Sequence, residues 1–355
     1  MTEPLVISID AMGGDHGPPV VLPGVARALK ALEGRNVRFL LHGDRAAISA
    51  RLTRLPAVAA VSEIRHAERV IAMDEKPAQA MRRGKGTSMW NAVEAVKSGE
   101  AKACVSAGNT GALMAVSRLI LRMSGDLDRP ALVANWPTSR GATAVLDVGA
   151  NIQCDAQRLV DFAVMGAAFH RAIHGSKRAT VGLLNVGSED EKGHEEVREA
   201  HRILKASRFE FDYHGFVEGD DIAKGTVDVI ITDGFTGNVA LKTAEGLARF
   251  FTAELRKTFK SGPFAMLGAM IASHALRKMF LRFDPSSINA APFLGLHGTV
   301  VKTHGGADAR GFATAISLAA DLAERDFAGQ IDRSLKQMTA SSDHTPAAAQ
   351  ERSQA

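Results

Sequence analysis

Glycine-rich turns that carry acidic, amide and cationic side chains are the part of this sequence best suited to chemistry. The segments Asp10–His16 (DAMGGDH), Ser106–Gly111 (SAGNTG) and Thr232–Asn238 (TDGFTGN) each follow a short apolar run. Small residues let backbone N–H groups approach an anion, and a helix that begins at such a turn favours negative charge there. Several turns of this kind in one chain indicate a cleft that handles phosphate.

The side chains in and around these turns are the candidates for the site. Candidate catalytic groups, which would stabilise charge or transfer a proton, are Lys192, Asn109, His16, His304 and Asp233. Candidate phosphate- or substrate-binding residues are Asp10, Gly13, Gly14, Lys85, Ser88, Gly108, Thr110, Gly111, Asn151, Asn185, Gly237, Asn238 and Lys242. Two alternatives stay open: the glycine turns are purely structural strand-to-helix connections, and His304 is a hydrogen-bonded structural histidine.

Familiar motifs for other chemistries are missing from the sequence. No GxGxxG follows a strand-like run and no complete Walker A motif occurs, which disfavours nucleotide binding by those routes. HExxH, an EF-hand, clustered Cys/His ligands and the GxSxG elbow are also absent. Asp10, Asp15, Asp147 and Asp233 have oxygen ligands for Mg²⁺, but their spacing does not require it, and hydrogen bonding to loop amides is the alternative. We therefore predict neither a metal nor a cofactor.

Strand-like runs that end in glycine turns recur along the chain and must position these side chains. They are Leu5–Asp10, Val37–Leu41, Ala103–Ser106, Thr143–Asp147, Val181–Asn185 and Val227–Thr232. Each is followed by a helical pattern, which predicts an α/β fold with a mostly parallel, doubly wound sheet. In such a sheet, ligands bind at the edge formed by the carboxyl ends of the strands, so the turns are expected to converge there.

The amino-acid composition indicates which partners and which cellular compartment suit the protein. The chain has 355 residues, 46% of them hydrophobic, with a net charge of +4 and a pI near 9.1. A mildly basic surface suits an acidic partner, but no dense Lys/Arg tract indicates nucleic acid. Two cysteines without a CxxC motif suggest a reduced, cytosolic protein. No signal peptide is apparent, and no apolar run reaches the ~20 residues needed to span a bilayer.

Residues 1–337 are predicted to form a single domain with a protruding helical tip at about residues 245–285. Glu245–Lys260 reads as an amphipathic helix, and the next segment is apolar at its centre and basic at both ends. This pattern suits a tip that dips into an anionic membrane surface through Phe264, Met266, Leu267, Met270 and Ile271. The alternative is a helix pair in a dimer interface or a core. Residues 338–355 are polar and predicted to be disordered.

Seven stretches together resemble one family, the bacterial phosphate acyltransferases of phospholipid synthesis. In order they are DAMGGDHGP, SAGNTGAL, DRPAL, LDVGAN, LLNVGSEDEKG, DVIITDGFTGNVALKTAEG and VVKTHGG, between about residues 7 and 306. The resemblance implies a Rossmann-like three-layer α/β/α fold, related to phosphotransacetylases and isocitrate-dehydrogenase-like proteins. It also implies a homodimer that needs no metal or nucleotide.

In activity, the resemblance implies transfer of a long-chain fatty acyl group from acyl carrier protein to inorganic phosphate. The acyl-phosphate product would pass to a membrane glycerol-3-phosphate acyltransferase, with the enzyme bound peripherally to the inner face of the cell membrane. Three other hypotheses stay open. They are a coenzyme A-dependent phosphotransacetylase, a dehydrogenase of related fold, and a non-catalytic scaffold for carrier protein and membrane.

Overall fold

The computed structural model describes residues 3–125, 127–175, 178–282 and 290–342. In this part of the chain, strands β1 to β11 are Leu5–Asp10, Val37–Gly43, Ser62–His66, Ala103–Ser106, Ala131–Thr138, Gly141–Leu146, Thr180–Leu184, Asp212–Val217, Val229–Ile231, Ala291–Leu294 and Thr299–Lys302. Helices α1 to α14 are Pro18–Ala31, Arg45–Leu52, Pro56–Ala60, Pro77–Arg83, Ser88–Lys97, Thr110–Leu121, Ala156–His174, Glu195–Ala206, Gly219–Lys224, Gly234–Phe259, Pro263–Ile271, Ser273–Arg282, Ala309–Glu324 and Phe327–Ser342.

The described strands form one sheet in the order β3-β2-β1-β4-β11-β10-β5-β6-β9-β7-β8. The first five strands in this order are parallel to one another, and so are the last four. Between them, β10 is antiparallel to β11 and to β5, and β5 is antiparallel to β6. The mostly parallel α/β sheet is thus confirmed. The expectation of one common carboxyl edge is wrong, because the two parallel groups run in opposite directions.

The two groups are offset so that their carboxyl ends still meet. Lys302, at the end of β11, pairs with Ala291 of β10, and Leu146, at the end of β6, pairs with Val133 of β5. Because β10 and β5 pair directly, these two strand ends lie at nearly the same level of the sheet, while their strands extend away in opposite directions. The turns that follow both groups therefore border a shared cleft across β10 and β5.

Apolar cores cover both faces of the sheet. Neighbouring residues of a strand point to opposite faces. Accordingly, Val229 and Ile231 belong to one buried cluster while Ile230 belongs to another. The same division separates Val301 from Val300 on β11. Helices pack on both sides of the sheet to bury these clusters, which is the predicted three-layer arrangement.

Helix α10 links the cleft to a projecting helical segment. It begins at Gly234 and runs to Phe259, so the predicted amphipathic helix Glu245–Lys260 is the distal part of a longer one. Only its first half contains buried residues, and α11 contains none. None of the described helices combines the length and apolar character required to cross a bilayer.

The C-terminal boundary of the fold lies later than predicted. Helix α14 continues to Ser342, so residues 338–342 of the expected disordered tail are helical. An amphipathic helix that packs its first turns on the body can extend into polar sequence, which composition alone does not indicate. The remainder of the predicted tail, 343–355, lies outside the described residues.

Candidate active site

A cavity of about 260 Å³ opens where the two parallel groups meet. The first group contributes Thr110, Lys302 and His304 to its lining. The second group contributes Gly149, from the turn after β6, and the first turns of α10. Turns distant in sequence are thus assembled around one space, as the glycine turns had suggested. Leu132 and Ala134 of β5 and Ala291 of β10 contribute to the apolar part of its wall, together with Val148 and Leu241.

Lys302 is the residue in this cavity that the sequence hypothesis missed. Its side chain lines the cavity although the residue is only 6% exposed. The ammonium donates to the backbone carbonyl oxygens of Ala107, at 3.5 Å, and of Thr303. Burial, followed by the nearby charge of Lys242, lowers the pKa of Lys302 to about 8. The position of a lysine at the end of the apolar run GTVVKT was the available signal.

Helix α10 presents a charged cluster to the same cavity. Glu245 is buried, and its Oε2 atom accepts from Lys242 Nζ at 2.9 Å and from Arg249 at 3.1 Å. Across the cavity, burial and then the charge of Lys242 lower the pKa of His304. The Nδ1 atom of His304 accepts from the backbone N–H of Gly306 at 3.1 Å. Cationic groups outnumber the one carboxylate in this cluster, so the cavity favours an anion.

The first-strand turn is built around Asp10. This buried carboxylate accepts from Ser106 Oγ at 2.7 Å, and the Ser106 hydroxyl in turn accepts from the backbone N–H of Gly108 at 3.0 Å. Burial raises the pKa of Asp10. Gly13 is required here by space, because a Cβ atom would lie 2.5 Å from Asp10 Oδ2. The backbone N–H of Asp15 donates to Gly305 O at 2.9 Å, which joins this turn to the one that follows β11.

Asn109 has a structural role in this structure. Its Oδ1 atom caps α6 by accepting from the backbone N–H of Ala112 at 2.9 Å. Its Nδ2 atom donates to the backbone carbonyl oxygens of Met73, at 2.5 Å, and Glu75, at 3.3 Å. Gly111, which follows, packs so closely on Pro77 that a Cβ atom would lie 2.9 Å from it. The predicted catalytic amide is thus engaged by backbone, and its neighbour Thr110 is the residue that reaches the cavity.

Asp147 and Asn151 brace the turn after β6. The Asp147 carboxylate accepts from the backbone N–H groups of Leu132 (3.0 Å), Gly149 (3.3 Å), Ala150 (3.1 Å) and Asn151 (2.5 Å). It also accepts from Asn151 Nδ2 at 2.8 Å. These partners are the loop amides that were the alternative to a Mg²⁺ site. Among the described residues, no group of three or more acidic, histidine or cysteine side chains is arranged around a metal position.

The start of α10 is held by a helix cap and by close backbone packing. Asp233 caps the helix by accepting from Thr236 N at 2.9 Å and from Thr236 Oγ1 at 2.7 Å. A Cβ atom on Gly237 would lie 2.0 Å from the Asp147 carbonyl oxygen, so only glycine permits this approach. Asn238, the next residue, lines the cavity beside Gly149. Asp233 therefore sets the direction of the helix, and Asn238 with Lys242 faces the ligand space.

Several predicted site residues do not line the cavity. His16 and Lys85 are exposed on their turns, and Ser88 is buried in the first turn of α5. Lys192 is half-exposed in the turn after β7 and pairs with Glu189 at 2.7 Å.

Two further candidates support their own turns. Asn185 donates to the Lys192 carbonyl oxygen at 3.0 Å. Gly14 adopts a left-handed conformation, with φ near 88°, beside Gly305. Of the predicted candidates, Thr110, Asn238, Lys242 and His304 line the cavity, and the others lie in supporting or peripheral positions.

Comparison with known proteins places the whole chain in one group. A family model described as "Fatty acid synthesis protein" matches residues 5–330. A phosphate acyltransferase of Caulobacter vibrioides is 70% identical over 340 residues, which cover 96% of this chain and 94% of that protein. A phosphate acyltransferase of Phenylobacterium zucineum is 62% identical over 340 residues, which cover 96% of each chain.

A solved structure supports the fold independently. A phosphotransacetylase from Streptococcus pyogenes superposes with a TM-score of 0.59 at 17% identity, covering 90% of this chain and 94% of its own. At this identity the similarity concerns the fold alone. The predicted relationship to the phosphotransacetylase fold is confirmed.

Proposed function

The chain belongs to the phosphate acyltransferase family, and from this premise we propose that it transfers an acyl group from a thioester to inorganic phosphate, giving an acyl phosphate. The observation that carries the proposal is the cavity between the two parallel groups. It combines an apolar wall with the cations Lys242 and Lys302 and with Thr110 and Asn238. An acyl thioester and a phosphate need this combination, because one reactant is apolar and the other anionic.

Catalysis of this reaction requires mainly that the two reactants are positioned and that the developing negative charge is stabilised. Phosphate is a competent nucleophile near neutral pH, so it attacks the thioester carbonyl directly and the C–S bond breaks without a covalent enzyme intermediate. Correct alignment of the two reactants contributes up to roughly 7–11 kcal/mol. Hydrogen-bond donors at the developing oxyanion contribute roughly 3–4 kcal/mol each. Asn238, Lys242 and the backbone amides that begin α6 and α10 are the proposed donors.

The proposed acyl donor is long-chain acyl carrier protein, and the proposed product serves phospholipid synthesis. Carrier proteins of this type are acidic, and the chain is basic, with a pI near 9.1. Arg82 and Arg83 are exposed at the end of α4, next to the turn that carries Lys85, and give a place for salt-sensitive docking. The second candidate donor is coenzyme A, which the phosphotransacetylase-like fold favours.

A single assay separates these donors. Purified protein is incubated with palmitoyl-acyl carrier protein or palmitoyl-coenzyme A, with and without phosphate, and acyl phosphate is trapped with hydroxylamine. We expect hydroxamate only when phosphate is present, and with a higher kcat/KM for the carrier-protein donor. No phosphate-dependent hydroxamate from either donor would refute the proposed function. A preference for coenzyme A would establish the second candidate.

Helix α11 supports the proposal of peripheral membrane binding at the inner face of the cell membrane. Phe264 is 89% exposed and Ile271 79%, and Met266, Leu267 and Met270 are also exposed. Basic residues flank this apolar surface, including Lys257 and Lys260 on one side and Arg277 and Lys278 on the other. Apolar side chains between cations suit the boundary of an anionic bilayer.

Flotation with vesicles tests this membrane tip. Leu267→Glu is compared with Leu119→Glu, because both leucines are 52% exposed and Leu119 lies on α6, away from the tip. We expect wild type and Leu119→Glu to float with phosphatidylglycerol vesicles, and Leu267→Glu to remain at the bottom. If Leu267→Glu floats equally well, the tip does not bind the membrane.

A homodimer and a downstream partner complete the proposal. On the distal part of α10, Leu247, Phe250 and Phe251 are exposed, which gives a second copy an apolar stripe to cover. Membrane attachment would bring the acyl phosphate to a membrane glycerol-3-phosphate acyltransferase before it hydrolyses. Sedimentation of wild type and Phe251→Glu tests the dimer: the variant is expected to sediment as a monomer.

A further inference from the structure

We propose that Lys302 is the general acid of the reaction and transfers a proton to the sulfur atom that leaves the acyl group. This inference rests on the proposed acyl transfer from a thioester. It starts from the position of the lysine at the end of β11, on the floor of the cavity and level with the apolar wall. The sequence hypothesis of glycine turns and flanking side chains did not assign a role to Lys302.

The hydrogen bonds of Lys302 leave one donor for a ligand. An ammonium group has three N–H donors. Two are directed at the carbonyl oxygens of Ala107 and Thr303, which fix the side chain between the ends of β4 and β11. Among the described residues, no carboxylate forms an ion pair with this ammonium. A buried cation with a free donor and no counter-ion is costly unless a ligand supplies the missing partner.

The burial of the Lys302 ammonium and the charges around it suit a group that donates a proton and takes one back in each reaction cycle. Burial and then the charge of Lys242 on α10 disfavour the charged form, whereas Asp15 and Asp10 from the first-strand turn favour it. With burial, the balance lowers the pKa of Lys302 to about 8. This value is close to the ~8.5 of an alkyl thiol, and a general acid works best when its pKa lies near that of the group and the working pH.

The proton balance of the reaction closes without another reactant. Hydrogen phosphate dianion attacks the carbonyl carbon, the C–S bond breaks, and its electron pair stays on sulfur. Lys302 donates a proton to that sulfur, so the carrier leaves as a thiol. The neutral amine then takes the proton of the phosphate hydroxyl in the acyl phosphate. The net change is acyl thioester plus hydrogen phosphate dianion to acyl phosphate dianion plus thiol.

Lys302→Met tests the proposal, because it keeps an unbranched side chain only one atom shorter and removes the proton. We expect kcat with palmitoyl-acyl carrier protein to fall roughly 100-fold or more, with the KM for phosphate within about threefold of wild type. The melting temperature should be unchanged or higher, because a buried ammonium is replaced by an apolar group. Lys224→Met, at an exposed lysine on α9, is the matched control and should behave as wild type.

Lys302→Arg separates proton transfer from charge. Arginine keeps a cation but does not release its proton in this pH range. We expect it to be nearly as slow as Lys302→Met. Recovery of kcat in the arginine variant would overturn the proposal, and so would a defect in Lys302→Met that saturating phosphate abolishes, because either result means that Lys302 supplies charge alone.

A wild-type pH profile tests the proposal without any variant. Donation requires the protonated lysine, so kcat/KM should fall as pH rises through about 8. Constant kcat/KM between pH 7 and 9.5 would overturn the assignment. The experiments distinguish failure of the proposed function from failure of the general-acid role. If wild type forms no acyl phosphate, the proposed function is refuted. If wild type and Lys302→Met turn over equally fast, only the general-acid role of Lys302 is refuted.

Discussion

Asp10 and Asp147 stand at corresponding points of the two halves of the sheet, yet they are used differently. Asp10 is the last residue of β1 and Asp147 directly follows β6; both are buried and both precede a glycine turn. Asp147 accepts four backbone N–H groups and one side-chain amide. Asp10 accepts from Ser106, and its Oδ1 atom has no hydrogen-bond partner among the described residues.

The difference shows that the motif alone does not identify the chemistry. A carboxylate whose hydrogen-bonding capacity is filled by its own turn holds that turn in shape. A buried polar group with unused hydrogen-bonding capacity is open to a change of protonation. The same contrast separates Asn109, which is engaged by backbone, from Lys302, which keeps a free donor.

The largest effect on folding is expected from Asp147→Ala. This change leaves several buried N–H groups without an acceptor, so the free energy of unfolding in urea should fall by about 3 to 5 kcal/mol. Asp212→Ala, which removes an exposed ion pair with Arg178, is the control and should cost under ~1 kcal/mol. If both variants lose the same small amount, Asp147 is not the brace of its turn.

A large loss of activity without a loss of stability is expected from Lys192→Ala. Its ion pair with Glu189 is exposed, so the free energy of unfolding should stay close to that of wild type. If the turn after β7 closes over phosphate, kcat/KM should fall roughly 10- to 100-fold. Lys224→Ala is the control for losing an exposed, paired lysine. Unchanged kcat/KM would assign Lys192 to the surface alone.

Asn109→Ala is expected to show the opposite pattern. Loss of the α6 cap should lower the free energy of unfolding by about 1 to 2 kcal/mol. Asn109→Asp keeps the capping oxygen and loses the donor to Met73 and Glu75, so it should recover part of that stability. A variant that retains full stability but loses all turnover would restore the catalytic role suggested by the sequence.

The smallest effect is expected from Asp10→Asn, and it depends on pH. Burial raises the pKa of Asp10 above its usual 3.8, so the folded protein binds this proton more tightly than the unfolded chain. Its contribution to stability is therefore complete below pH 3.8 and is lost as pH rises through the raised pKa. Urea unfolding between pH 4 and 8 should show the variant gaining stability relative to wild type as pH rises. A relative loss over this range contradicts the expected direction.

The sequence predicted parallel strands such as β1, β4 and β9 because each carries its own signal, whereas β3 and β8 were missed. Runs such as Ala103–Ser106 are continuously apolar and end in a glycine turn, and the structure has the same strand. Strand β5 contains Asn135 and Pro137, and β10 is only four residues long with Pro292. These strands were missed, and with them the reversal of direction between the two groups, because strand pairing depends on residues far apart in sequence.

Part of the site was predictable for the same reason. Thr110 and Asn238 lie in the first turns of helices, Lys242 lies one turn after Asn238, and His304 follows the end of β11; all four line the cavity. Lys302 was missed because its burial depends on β11 entering the sheet between β4 and β10. From sequence alone, a lysine beside an apolar run is interpreted as a charged surface residue. The catalytic role of Asn109 stays a prediction, because a helix cap and an anion ligand use the same residue types.

Helix α10 has a mechanical consequence. This continuous helix of 26 residues, about 39 Å long, carries Lys242 and Glu245 in its first half and leads to α11 at its far end. The part beyond Glu245 is about 21 Å long, so a tilt of about 10° at the cavity moves its far end by about 4 Å. The proposed membrane contact at α11 and the lysine in the cavity are therefore joined by one continuous helix, so a tilt at either place would displace the other.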